Sequence, residues 1–225
     1  DPETLALTNV PPPAGWNLDC AGHSFLPDGR LLVAGGTLQF NPLLGSKRAA
    51  IFDPYILEWI PVADMADGRW YPTNVTLPDG RIVTMSGVDG TTGALNTDIE
   101  RWDPNGGSNW ERIGQRLMPD YPNLHVIPSG LVFRSGPDSQ TETYNPATLA
   151  WMPVATTNAP ARYEAPSVML PPTLNRVMLM GGYVETSGTP TNSVETIDLS
   201  APMPTWTIGP HMLTRRIQHN AVLLP

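Results

Sequence analysis

The sequence predicts an all-β chain folded as a β-propeller of four-stranded antiparallel blades. Three observations predict it: a repeated turn signature, a repeated tryptophan signature, and turn residues spaced for short strands. "FLPDGRLLVAGG" at 25–36 returns as "TLPDGRIVTMSG" at 76–87 and, more loosely, as "VIPSGLVFRSG" at 126–136 and "MLPPTLNRVMLMGG" at 169–182. Each is followed by a second motif: "AIFDPYILEWIPV" at 50–62, "IERWDPNGGSNWERI" at 99–113, "ETYNPATLAWMPV" at 142–154 and "ETIDLSAPMPTWTIG" at 195–209. Trp59, Trp110, Trp151 and Trp206 mark a period of about 41 to 55 residues, the range of propeller blades.

Within each period the first strand ends at Pro-Asp-Gly or Pro-Ser-Gly, where proline presets one turn angle and glycine accepts a positive φ, so a tight hairpin leads into the second strand. A glycine pair ends the second strand, and Asp-Pro or Asn-Pro turns the third into the fourth. A sheet of this size cannot bury both faces alone, so neighbouring blades must cover it. Arranged radially, such sheets make a propeller of the kelch type. About four complete blades are expected, at 16–65, 66–117, 118–156 and 157–213, in one propeller region spanning 1–225. Partial blades are expected at 1–15, where "ETLALTNV" has Leu7 in the tryptophan position, and at 214–225, where "TRRIQHNAVLLP" matches a first strand. That pattern reads as a piece of a longer ring, the alternative being a small propeller with a degenerate closing blade.

Charge narrows the partners. The net charge is −8, only one of the 13 Lys and Arg residues is a lysine (Lys47), and the arginines are scattered. Nucleic acid and anionic membrane surfaces both need a basic footprint, which this chain lacks. No apolar run approaches the roughly 18 residues of a membrane span. One cysteine allows no intrachain disulfide, and low lysine with 26 prolines and 20 glycines suits a loop-rich secreted β-protein.

The proline ending each first strand serves as a ruler. Seven residues before Pro27, Pro78, Pro128, Pro171 and Pro225 stand Cys20, Tyr71, Tyr121, Glu164 and Gln218. First strands line a propeller's channel, so these five are expected as a ring at one mouth of it. Taken alone, Cys20 reads as a buried structural thiol and Tyr71 as an aromatic plug. The shared register brings them within bonding reach on adjacent blades, which makes the ring a candidate site. Tyr121, Glu164 and Gln218 are candidates to line the pocket, with structural packing as the other reading.

The motifs "CAGHSFLPDGRLLVAGG" and "GRWYPTNVTLPDGR" resemble those of the copper radical oxidases, the glyoxal oxidase and galactose oxidase family, and especially its glyoxal-oxidase-like branch. The resemblance runs along essentially the whole chain and implies a seven-bladed propeller. It implies that Cys20 forms a thioether to the Tyr71 ring, and that Tyr71 binds copper and stores a radical in a self-derived cofactor. It also implies a secreted enzyme that oxidises small aldehydes or primary alcohols with O2 and releases H2O2. The family's Tyr-His ligand pair has its nearest match at "RRIQHN", where His219 is a candidate ligand or a channel-lining histidine. Its radical-shielding aromatic has no counterpart, because "GVDGTTG" with Asp89 stands in that place. His23 is expected on the opposite face from Cys20, bonding between blades. Further ligands would come from the remainder of the propeller chain. The competing readings are a non-catalytic kelch propeller that binds glycan or protein, and an inactive fragment without the copper histidines.

Overall fold

The computed structural model describes residues 6–107 and 109–223. Pro225 of the ruler, and Asp1 to Leu5 of the leading partial blade, lie outside them. The described residues are all-β, with four antiparallel blade sheets that each follow a path of four strands, the first carrying a fifth strand beside its second, and one separate three-stranded sheet. The first blade is Asn17–Phe25, Leu31–Phe40, Ala49–Asp53 and Glu58–Pro61; the second is Thr73–Thr76, Ile82–Met85, Asp98–Trp102 and Glu111–Gln115. The third is Asn123–Val126, Val132–Gly136, Gln140–Tyr144 and Trp151–Thr156; the fourth is Ser167–Leu170, Arg176–Met180, Val194–Asp198 and Trp206–Ile208.

The turn chemistry does what the residues require. Gly29, Gly80 and Gly130 close the first three hairpins at φ of 87°, 86° and 82°, a region closed to most other residues. The glycine pair differs from expectation in the first blade. There the second strand runs through Gly35 and Gly36 to Phe40 and folds back on Leu43–Gly45. Hydrogen bonding to a new partner strand carries the ladder past the glycines. A further surprise is a small sheet of Arg162–Tyr163, Tyr183–Val184 and Thr189–Pro190, which extends the second hairpin of the fourth blade.

The core lies between blades, as flat apolar sheets demand. Leu26, Leu32 and Ile51 of the first blade pack on Ile82 and Trp102 of the second. Val75, Val83, Met85 and Ile99 meet Leu124, Val132 and Tyr144 of the third. Phe133 of the third blade joins Val177, Leu179, Ile197 and Trp206 of the fourth. Two of the repeated tryptophans tie their blade to the one before it: Trp110 Nε1 donates to the Ala63 carbonyl at 2.9 Å and Trp206 Nε1 to Thr141 Oγ1 at 3.2 Å.

The expected first strand after residue 213 is a correction. Among the described residues none beyond Ile208 is a strand.

First strands of neighbouring blades lie side by side, stitched by polar bonds. Ser24 and Thr76 hydroxyls bond at 2.6 Å, Thr73 Oγ1 donates to the Pro122 carbonyl at 2.6 Å, and Asn123 Nδ2 to the Ala165 carbonyl at 2.8 Å. His125 Nε2 and Ser167 Oγ bond at 2.6 Å. Burial pushes the His125 imidazole down from 6.5 to about 4, so the folded chain holds it neutral. The unfolded chain therefore binds a proton that the folded chain refuses between those values, and stability falls as pH drops from about 6.5 to about 4, then levels. The effect is on the order of 2 kcal/mol, allowing for the partly accessible ring. Thermal melts of the parent and His125→Gln across that window test this: Gln should flatten the slope, and a flat parent curve would sink the idea.

Candidate functional site

Five ruler positions share one unusual backbone state. Cys20, Tyr71, Tyr121, Glu164 and Gln218 have φ of 66°, 60°, 54°, 54° and 53°. Left-handed backbone is costly for side chains of this size, so the surroundings must hold it there. They do so blade to blade: the Tyr71 N–H donates to the Cys20 carbonyl at 2.9 Å, Tyr121 N–H to the Tyr71 carbonyl at 2.8 Å, and Gln218 N–H to the Glu164 carbonyl at 3.2 Å. The same φ corrects one expectation. Only Cys20 lies on a first strand, at an irregularity in its pairing, while Tyr71, Tyr121 and Glu164 sit just before theirs because the turn breaks extension.

The Cys20 thiol and the Tyr71 phenol face each other. The hydrogen bond with Cys20 raises the phenol above its ordinary value of 10, and desolvation adds to it. Left to itself, Tyr71 therefore stays protonated. Its ring is flanked on two sides, by Trp70 with ring centroids 3.8 Å apart and by Tyr121 at 4.9 Å. Trp70 was not singled out in the sequence. Its signal was adjacency to Tyr71, but strand alternation would have sent the two rings to opposite faces; positive φ at Tyr71 turns them together.

Tyr71, Tyr121, Glu164, Gln218 and His219 all line one cavity of about 610 Å³, and Cys20 lies outside its lining. Tyr163 and Tyr183 of the small sheet, stacked at 5.5 Å, form another wall. They too were missed, since that sheet leaves no periodic trace in two-residue strands. Asp120 also lines the cavity, its carboxyl raised by burial and by the Glu164 charge. Glu164 Oε1 accepts from Gln218 Nε2 at 2.9 Å, which joins two ring members. His23 is exposed beside a smaller cavity of about 200 Å³, and the inter-blade bond expected of it is made by its neighbour Ser24.

Copper(II) suits nitrogen and oxygen donors in a tetragonal site, imidazole among them. Tyr71 offers the oxygen next to the sulfur of Cys20. His219 is neutral, its value lowered by desolvation and by the Arg216 charge, and both ring nitrogens are buried without a partner among the described residues. It stands one residue past the ring, however, where Pro72, Pro122 and Ala165 stand in other blades. Its Cε1 packs so closely on Gly181 that a Cβ there would come within 2.5 Å. That contact packs one edge of the ring against the backbone at Gly181. Among the described residues no three His, Cys, Asp or Glu side chains cluster as a metal site. Tyr71 thus fits one oxygen donor of a copper site, with the Cys20 sulfur beside it and not among the donors. No helix among the described residues is long and apolar enough to cross a membrane.

Comparison with known proteins adds the following. No protein-family model matches the chain. It is 32% identical over 126 residues to an aldehyde oxidase GLOX of Vitis pseudoreticulata, covering 51% of this chain and 22% of that protein. It is 25% identical over 139 residues to a galactose oxidase of Gibberella zeae, covering 56% of this chain and 19% of that one. The chain spans about a fifth of the length of these relatives. A solved fungal alcohol oxidase of the AA5 family, in complex with copper, matches with a TM-score of 0.78 over 93% of this chain and 46% of its own, at 22% identity. At that identity the likeness establishes the fold.

Proposed function

We propose, from the premise that this chain belongs with the copper radical oxidases of the glyoxal oxidase and galactose oxidase kind, that it carries the radical-cofactor half of such an enzyme's site. The observation that carries this reading is the pairing of Cys20 and Tyr71. They stand on neighbouring blades, both in left-handed backbone, 2.9 Å apart through the backbone bond and with thiol against phenol.

The residue chemistry follows. Joining the two side chains removes the S–H hydrogen of Cys20 and a ring C–H hydrogen of Tyr71 and makes one S–C bond. The two electrons and two protons released go to dioxygen, giving hydrogen peroxide. The ortho sulfur then donates density to the ring and eases its one-electron oxidation. Copper, when bound by Tyr71, supplies the positive charge that deprotonates the phenol and a second electron-accepting centre. Rigid blades keep the phenol in place, and Trp70 and Tyr121 pack against its ring at tilts of 35° and 57°. The cavity lined by Tyr121, Glu164 and Gln218 admits a small aldehyde hydrate or primary alcohol. Oxidation of either to the next level yields two electrons and two protons, matching the reduction of O2 to H2O2. Extracellular placement suits this chemistry and the composition. We assign His219 to the channel wall, and the nitrogen ligands to residues outside this chain, contributed by the remainder of the propeller.

Peptide mapping under reducing conditions tests the pairing. After exposure to Cu(II) and air, the peptides containing Cys20 and Tyr71 should run as one species, two hydrogens lighter than their sum. Separate peptides with a freely alkylated Cys20 would overturn the oxidase reading and favour a non-catalytic propeller.

A further inference from the structure

Two blades contain a fully buried ion pair in the same place. Arg69 meets Glu100 at 2.8 Å with side chains 0% and 1% exposed, and Arg162 meets Glu195 at 2.9 Å with both 1% exposed. Each arginine lies two residues before a ring position, Tyr71 or Glu164, and each glutamate lies on the third strand of the same blade. Burying a charge pair costs desolvation of both partners, so the fold alone does not call for one. The first blade demonstrates this: Leu18 and Ala50 occupy the corresponding positions, and its sheet is intact. In the third blade Pro119 replaces the arginine, and Glu142 pairs with Arg134 and Arg116 instead.

Arg69 does more than neutralise Glu100. Its Nη1 donates to the Ser86 carbonyl at 2.8 Å and its Nη2 to the Asp98 carbonyl at 2.7 Å. Its own N–H donates to the Ser46 carbonyl, and its carbonyl accepts from Gly36 N–H, both at 2.9 Å. Glu100 Oε1 accepts from Ala66 N–H at 2.8 Å, so the pair grips the segment 66–69 from both ends. Asp67 Oδ1 adds Gly68 N–H at 2.6 Å and Gly90 N–H at 3.2 Å. The segment so held delivers Tyr71 at φ 60° against Cys20.

We propose that the buried Arg69–Glu100 pair is a positioning device for Tyr71, holding the phenol over the Cys20 thiol in the geometry that their cross-linking needs. The role in cross-linking rests on the oxidase reading; the positioning itself does not. The planar fork of Arg69 reaches three acceptors on the second and third strands at once, which a lysine cannot do. Without it the turn at Tyr71 loses the contacts that offset its left-handed backbone, and the phenol swings off the sulfur.

The single cysteine makes a clean probe. We compare the rate of iodoacetamide alkylation of Cys20, in copper-free protein, between the parent, Arg69→Lys, the apolar pair Arg69→Met/Glu100→Leu, and the control pair Arg162→Met/Glu195→Leu. The apolar pair should melt within a few degrees of the parent yet alkylate about tenfold faster, and Arg69→Lys, the fallback if the double variant does not fold, about threefold faster. The control pair should leave the rate unchanged. An unchanged rate in folded Arg69 variants, or an equal rise in the control pair, would overturn the proposal. Because this readout needs no copper, protection of Cys20 that depends on Arg69, together with absent cross-linking, would count against the oxidase reading alone.

Discussion

Tyr71→Phe should prevent the proposed thioether and abolish the proposed oxidase activity while leaving the fold in place. Removing one oxygen takes away the proposed copper donor and the hydroxyl that directs oxidation of the ring to its ortho carbon. The ring itself stays, so its packing between Trp70 and Tyr121 survives, and the left-handed turn at Tyr71 depends on backbone bonds that phenylalanine also makes. If the proposed oxidase reading holds, peroxide release from a small aldehyde by a longer chain that supplies the nitrogen ligands should fall at least about 10³-fold, to the uncatalysed background. In this chain Cys20 should remain a free thiol after Cu(II) and air, with a melting temperature within a few degrees of the parent. Retained activity with a full-mass, uncross-linked peptide would remove Tyr71 from the mechanism.

Phe133→Ala should give the largest loss of stability. Phe133 is 0% exposed and lies in the core shared by the third and fourth blades, against Trp206 with ring centroids 6.4 Å apart. Truncation removes its transfer free energy and leaves a cavity that two ladder-bonded sheets cannot close, about 3–5 kcal/mol in all. For a chain of this size that is roughly 10 °C in melting temperature. Calorimetry decides it: a shift under about 3 °C would show that the blades fold independently of their shared core, against the inter-blade architecture described above.

Much of the fold was legible because its signals are local. Pro-Asp-Gly demands a hairpin wherever it occurs, and Trp59, Trp110, Trp151 and Trp206 report a period without reference to what they touch. The ruler reached Cys20 and Tyr71 for the same reason, since a constant offset from the proline that ends each first strand puts equal positions at equal depth even though the blades differ in length. What it missed was not periodic. Trp70 packs on Tyr71 only because a positive φ reverses strand alternation, and Tyr163 and Tyr183 stack only because a two-residue extension of the fourth blade brings them together.

By itself, then, the sequence determined the all-β repeat, the blade count and the identity of the residues at one depth of the channel, since each depends on spacing within a repeat. Tertiary structure alone decided what those residues became. Left-handed backbone at five ring positions is unfavourable for each residue on its own, and is held by bonds from the neighbouring blade, by the grip of Arg69 on Ser86, Asp98 and Glu100, and by burial between sheets. Those contacts join residues 17 to 54 positions apart in sequence, and only folding brings them together.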